Sequence, residues 1–155
     1  MADTTEPADA SELHPPHRHS PFHKVIGWKV AEWGEGRAII TCPIRPDFMN
    51  RGGNLHGGLV ATLIDAAAGY AALGGPATLT DGRGGGDPET RGPAGATLSL
   101  TINYLGTARE GLLTIRAVRT GGGRSVAFVR IEVLAESGAV IAEGVCTYRL
   151  FPPKA

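Results

Sequence analysis

Residues 49–65 read MNRGGNLHGGLVATLID, and this stretch decides how the rest of the chain must fold. A loop rich in glycine and asparagine leads into an apolar segment of alanines and leucines that continues to Leu73. Alanine and leucine favour helix, and the sequence Gly74-Gly75-Pro76 stops one. We therefore predict a single helix that begins at His56 or Gly57 and ends at Leu73. Because few of its positions are charged, this helix must be buried on most sides.

Two features of this helix point to chemistry. Asp65 lies where the pattern asks for leucine or alanine, and a carboxylate in such a place needs a partner or a water-filled cleft. At the helix start, Gly57 and Gly58 have no Cβ, so a ligand can approach their N–H groups closely. The first amides of a helix have no internal acceptor and carry partial positive charge, which suits an oxyanion or a polarised carbonyl. The nine residues from His56 to Asp65 give about 900° of rotation, so the two features face opposite sides. Two helices from two subunits could nevertheless meet at one substrate.

Length and charge limit the classes of function. The chain has 155 residues, with 15 basic and 15 acidic side chains, which fits one domain without a basic surface for nucleic acid. No apolar stretch reaches the ~18 residues of a membrane span, so we expect no membrane partner. The N-terminus lacks a signal-peptide pattern, which predicts a cytoplasmic protein. Cys42 and Cys146 lie in apolar runs and are interpreted as reduced core thiols, with a disulfide or a metal pair as alternatives.

Two segments differ in composition from the rest. Residues 1–20 are polar and proline-containing, which predicts a disordered tail before a folded domain at 21–152. The tail histidines have no cysteine or acidic partners at ligand spacing, so we predict no metal site. Residues 74–95 are rich in glycine, aspartate and proline and form a long loop. This loop is either a lid or an insertion, and we favour the insertion.

The remaining segments read as strands. Side chains alternate in polarity through 97–104, so Leu98, Leu100, Ile102 and Tyr104 are expected on one face. Two strands, a helix and four strands joined by short turns indicate an α+β fold, an antiparallel meander that covers the helix. One helix cannot cover a six-stranded sheet, so we expect the sheets of two subunits to join or pack. The predicted strands are 28–33, 36–44, 97–104, 111–120, 124–134 and 140–151.

From about Phe22 to Leu150 the sequence resembles the hotdog-fold acyl-CoA thioesterases, specifically the phenylacetate-pathway (PaaI-like) clade. The resemblance rests on Asn50, the His56-Gly57-Gly58 triplet and Asp65. It implies a hotdog fold, an antiparallel β-sheet wrapped around one long central α-helix. It implies hydrolysis of a coenzyme A thioester in a homodimer or a dimer of dimers. It implies no cofactor, because coenzyme A is part of the substrate.

The resemblance also implies roles for individual residues. The Gly57-type amide and the Asn50-type side chain bind the thioester carbonyl, and the His56-type ring supports the helix start. The Asp65-type carboxylate comes from the other subunit and activates a water or attacks directly. A hydroxyl at the start of the next strand, here Thr97, helps to hold that water. Coenzyme A would lie along a subunit interface, with Arg109 and Arg124 as phosphate partners, and would touch Gly58, Tyr104, Arg109, Gly123, Arg124 and Ser125.

The chemistry of thioester hydrolysis fits these residue types. The carbonyl must be polarised and a water must lose a proton, whereas the thiolate leaves readily because a thiol pKa is about 8.5. The chain has no Gly-x-Ser-x-Gly motif, the signature of one class of serine hydrolase. The acyl group stays open between aryl-acetyl, medium-chain and hydroxybenzoyl thioesters. The alternatives are a non-catalytic acyl-CoA-binding hotdog protein, a hydratase of the same fold and a purely structural dimer.

Overall fold

The computed structural model describes residues 19–75 and 94–151 of the chain. Most of the predicted tail at 1–20 and most of the 74–95 segment lie outside these residues. Six antiparallel strands form one sheet around a long helix, as the α+β prediction expects. The elements are α1 (Pro21–Ile26), β1 (Lys29–Gly34), β2 (Arg37–Pro43), a 3-10 turn (Pro46–Phe48), α2 (Gly57–Leu73), β3 (Ala94–Tyr104), β4 (Leu112–Gly122), β5 (Val126–Leu134) and β6 (Val140–Phe151).

Helix α2 has the predicted bounds, and its two ends are capped by different means. At the start, the His56 ring accepts a hydrogen bond from the Gly58 N–H at 2.9 Å. At the end, Gly74 adopts a left-handed conformation with φ of 92°, and its N–H donates to the Tyr70 carbonyl. Glycine adopts this conformation without the steric cost that a side chain adds. The helix therefore has fixed ends, and with them a fixed position for each side chain between.

The core lies between α2 and the inner face of the sheet. Helix α2 contacts all six strands. Its alanines at 67, 68 and 71 are fully buried and let the sheet approach closely. Burial of each large apolar side chain stabilises the fold by about 1.5–3 kcal/mol. The largest fully buried side chains are Ile40, Leu63, Ile64, Leu113, Ile115, Ile131, Val129, Val133 and Cys42.

The strand order is β1-β2-β4-β5-β6-β3, which differs from a simple meander. The meander prediction is correct for β4, β5 and β6, but it is wrong for β3. Strand β3 pairs with β6, and β4 takes the place beside β2. The reason is that α2 crosses the sheet and delivers the chain to the far edge before β3 begins. Strands β1 and β3 are therefore the two edges of the sheet.

Strand β3 contains a β-bulge that the alternation in its sequence does not reveal. In the ladder with β6, Thr97 lies opposite Tyr148 and Ser99 lies opposite Thr147, so Leu98 is an extra residue. The prediction that Leu98 shares a face with Leu100 is wrong. Leu98 is 59% exposed, because the bulge shifts the alternation by one residue. The same shift turns Thr97 towards α2.

Both cysteines are buried and unpaired, as predicted for core thiols. Burial raises the pKa of Cys42 and of Cys146 to about 11. In the described residues, no three histidine, cysteine or acidic side chains are grouped as a metal site requires. No helix in 19–75 or 94–151 has the length and apolar character to span a membrane.

Candidate active site

A short hydrogen bond joins the helix carboxylate to the first residues of β3. The Thr97 hydroxyl donates to Asp65 Oδ1 at 2.5 Å. This distance is at the short end for a hydroxyl bound to a carboxylate. Asp65 Oδ2 makes no hydrogen bond with another described residue. Thr97 therefore holds the half-buried carboxylate in one orientation and leaves its second oxygen available to a water or a ligand.

Two side chains of β6, Cys146 and Tyr148, lie within electrostatic reach of this carboxylate. Burial, and after it the negative charge of Asp65, raises the pKa of Cys146 and of Tyr148. Across 19–75 and 94–151, the only ion pair joins Arg45 to Asp47 and does not include the helix carboxylate. The hydrogen-bond partner of Asp65 among the described residues is thus the Thr97 hydroxyl and not an arginine.

The start of α2 is covered by the end of β3. The Tyr104 hydroxyl donates to the Gly57 carbonyl at 2.9 Å, and a Cβ at Gly57 would lie 3.3 Å from the Tyr104 ring. The Gly57 N–H makes no hydrogen bond with any other described residue, whereas the Gly58 N–H is bound by the His56 ring. Gly57, and not Gly58, therefore provides the available donor of this helix end. Tyr104, expected at coenzyme A, contacts the helix start.

The loop before α2 is held by its own asparagines. Asn50 Oδ1 accepts hydrogen bonds from the N–H groups of Gly52 at 2.8 Å and Asn54 at 3.2 Å. Arg109 Nε donates to Asn54 Oδ1 at 3.0 Å, which ties the loop to the segment after β3. The Asn50 oxygen is therefore occupied within the loop, and only its NH₂ group is available to a substrate carbonyl. Arg109 has one nitrogen committed to the loop and keeps its terminal nitrogens for other ligands.

The residues expected at coenzyme A fall into two separate groups. Gly123, Arg124 and Ser125 are exposed in the turn between β4 and β5. That turn leads into the residue pair Val126–Arg149, whereas Tyr104 pairs with Ala142. Seven residues of β6 separate the two positions, roughly 23 Å of strand. One chain alone does not bring the two groups together.

The two chemical features of α2 are also separated. Gly57 and Asp65 lie eight residues apart, which is roughly 12 Å along the helix axis. Hydrogen bonds to one carbonyl group and its attacking water require donors and acceptors within about 3 Å. A single copy of α2 therefore cannot apply both groups to one bond.

Sequence reasoning missed one side chain beside the carboxylate, Tyr148. The strand that carries Tyr148, β6, was predicted. Its position opposite Thr97 follows only from the register between β3 and β6. That register depends on the crossover of α2 and on the bulge, neither of which leaves a local signal. The alternation of β6 does place Tyr148 on the same face as Cys146, which is the one signal that could have drawn attention to it.

Comparison with known proteins agrees with this architecture. Residues 52–142 match the model of the thioesterase superfamily. A protein from Saccharolobus solfataricus is 30% identical over 131 residues, 84% of this chain and 84% of that protein. The medium/long-chain acyl-CoA thioesterase YigI of Salmonella typhimurium is 26% identical over 132 residues, 84% of this chain and 85% of the relative.

Two solved structures share the fold. The Escherichia coli PaaI protein from the phenylacetic acid degradation operon has a TM-score of 0.72 at 20% identity, over 89% of each chain. A hypothetical thioesterase protein of Streptococcus pneumoniae, solved with coenzyme A, has a TM-score of 0.67 at 21% identity. That match covers 83% of this chain and 88% of the other. With the sheet wrapped around α2 and the family model matched over most of the domain, the chain belongs to the thioesterase superfamily and has its hotdog fold.

Proposed function

We propose that this protein is an acyl-CoA thioesterase of the PaaI-like type, which hydrolyses an aryl-acetyl or medium-chain acyl-CoA to the free acid and coenzyme A. The observation that carries the proposal is the Thr97 hydrogen bond to Asp65, which orients a carboxylate that has no ion-pair partner in the described residues. The relative named as an acyl-CoA thioesterase and the fold neighbour solved with coenzyme A support the choice of substrate class.

In the proposed reaction the Gly57 N–H donates to the thioester oxygen as negative charge develops there. Asp65 takes a proton from a water that attacks the carbonyl carbon, which gives a tetrahedral intermediate. The intermediate collapses, the C–S bond breaks, and the thiolate of coenzyme A leaves and is protonated. Removal of one donor at such an oxyanion position typically costs about 10²–10³ in rate. Direct attack by the carboxylate, with an anhydride that water then hydrolyses, gives the same products.

The proposed site uses two copies of the chain, since one helix separates Gly57 from Asp65 by roughly 12 Å. The edge strand β3 offers unpaired N–H and C=O groups for pairing with a second copy. A two-fold axis would bring the helix start of each subunit to the partner's carboxylate, which gives two sites in each dimer.

Replacement of the carboxylate tests the chemistry. Asp65→Asn and Asp65→Ala should each lower kcat/KM by at least about 10² across a panel of aryl-acetyl and straight-chain acyl-CoAs, as expected for loss of a general base. Glu132→Gln on β5 is a matched control, because it removes a carboxylate away from α2. Unchanged turnover in both Asp65 variants would refute the proposal. Binding of acyl-CoA without turnover by the wild type would favour a non-catalytic acyl-CoA-binding protein.

A mixing experiment tests the two-chain site. Asp65→Asn chains and Gly57→Val chains are each expected to be inactive. Refolding them together in equal amounts should restore about a quarter of the wild-type activity, because half of the dimers are mixed and each mixed dimer has one intact site. A site contained in one chain predicts no recovery.

A further inference from the structure

Tyr148 is the next side chain along the sheet from the Asp65–Thr97 hydrogen bond. Tyr148 and Thr97 are directly opposite each other in the β3–β6 ladder. Side chains of directly opposed residues project from the same face of a sheet, here the face that packs on α2. The tyrosine ring is half-buried on that face.

Two glycines leave the space that the ring occupies. A Cβ at Gly95 would overlap the Tyr148 ring, and one at Gly69 would lie 3.4 Å from the Tyr148 hydroxyl oxygen. Gly69 follows Asp65 by four residues, so the two share one face of α2. The tip of the phenol therefore lies against the helix, roughly 6 Å beyond the carboxylate along the axis.

The tip of the phenol is not sealed within the core. The Tyr148 hydroxyl makes no hydrogen bond with another described residue, and no buried side-chain oxygen or nitrogen in 19–75 and 94–151 is left without a partner. The hydroxyl oxygen therefore keeps some exposed surface. Burial raises the pKa of Tyr148, and the Asp65 charge raises it further, which places the neutral phenol within electrostatic reach of the carboxylate.

Two apolar residues share the faces that carry Gly69 and Tyr148. Leu73 lies one turn after Gly69 on α2, and Leu150 lies two residues after Tyr148 on β6; both are partly buried against the core. The coenzyme A portion of a substrate carries phosphates, which need cations or amide groups. Two leucines and a phenol on these faces suit the hydrocarbon portion instead.

We propose that Tyr148 closes the far end of the acyl pocket and thereby limits the length of the acyl group that the enzyme accepts. This inference rests on the proposed thioesterase function. An acyl chain bound with its carbonyl at Asp65 would run along Gly69 and meet the tyrosine ring. Acyl groups long enough to reach past the ring would have to displace it from its place beside Gly69 and Gly95.

The test measures kcat/KM for straight-chain acyl-CoAs from butanoyl to hexadecanoyl. Tyr148→Ala lengthens the pocket and should raise the ratio of long-chain to short-chain kcat/KM by about tenfold or more, the effect of a methylene or two in an apolar pocket. Gly69→Ala narrows the path and should lower this ratio. Alanine also favours helix, and its Cβ at 3.4 Å makes an ordinary contact, so this variant should fold. Val145→Ala, on the outer face of β6, is the control and should leave the ratio at the wild-type value.

A ratio within about twofold of wild type in both Tyr148→Ala and Gly69→Ala, with acyl-CoA turnover intact, would overturn the inference and leave the proposed function standing. If Tyr148→Ala does not fold, the Gly69→Ala ratio decides alone. Absence of wild-type turnover on every acyl-CoA would overturn the proposed function and this inference together.

Discussion

Thr97→Val tests whether the hydroxyl on β3 contributes to catalysis by holding the carboxylate. Valine has nearly the same shape as threonine but cannot donate to Asp65 Oδ1, which the hydroxyl reaches at 2.5 Å. Hydrogen bonds to charged groups contribute about 1.5–3 kcal/mol, and the half-buried position of Asp65 favours the lower part of that range. About 1.5–2 kcal/mol corresponds to a loss of roughly 10–30-fold in kcat/KM. We expect this loss mainly in kcat, because the hydroxyl acts on the carboxylate and not on the substrate.

The assay is steady-state release of coenzyme A followed with a chromogenic thiol reagent. Thr97→Ser keeps the hydroxyl and should retain most of the activity. Thr101→Val, an exposed threonine on the same strand, controls for the loss of a hydroxyl from β3 and should match the wild type. A thermal melt of each variant checks the fold. If a folded Thr97→Val enzyme kept its kcat within twofold of wild type, the hydrogen bond would have no part in the chemistry.

Three further predictions concern other parts of the molecule. Tyr104→Phe loses the hydrogen bond to the Gly57 carbonyl and should lower kcat/KM by about 2–10-fold with acyl-CoA; no change would mean that the tyrosine does not position the helix start. Gly122 has φ of 114° and a Cβ there would overlap the Val126 carbonyl, so Gly122→Ala should destabilise the fold by at least about 2 kcal/mol in urea unfolding. A Cβ at Gly123 would have no atom within 4 Å, so the free energy of unfolding of Gly123→Ala should stay within about 0.5 kcal/mol of the wild-type value. Equal losses of stability in both variants would contradict the described turn. Burial raises the pKa of the Cys42 and Cys146 thiols from about 8.5 in the unfolded chain to about 11, so this source of stability is complete below about pH 8.5 and is lost as pH rises towards 11. The urea midpoint should therefore fall above pH 9, and the fall should be smaller in a variant with alanine at both positions; an identical slope would exclude the thiols as its cause.

The helix could be predicted from sequence almost to the residue, because its signals are local. Alanine and leucine content, the glycine cap and the absence of charge all act within a few residues of one another. Asp65 stood out for the same reason, as an acid in an apolar segment. The presence of six strands could also be predicted from the sequence, since turn residues bound each strand.

The order of the strands and the neighbours of Asp65 could not be predicted in the same way. Strand β3 pairs with β6 across 38 to 57 residues of chain, and no local pattern encodes which edge a crossover helix reaches. Thr97 was proposed from the family resemblance, although the simple alternation of β3 places its side chain on the outer face. The bulge at Leu98 reconciles the two, and a regular pattern of apolar residues gives no sign of it.

That single extra residue makes the orientation of the carboxylate depend on how β3 pairs and not on its composition. If β3 kept all its residues but lost the bulge, regular alternation back from Leu100 would turn Leu98 inward and the Thr97 hydroxyl to the solvent side. Deletion of Leu98 would have no such effect, because the threonine would still lie opposite Tyr148 on the helix side. A one-residue gap after the threonine in a related chain is therefore compatible with the same inward hydroxyl, whereas an identical residue in a regular strand is not.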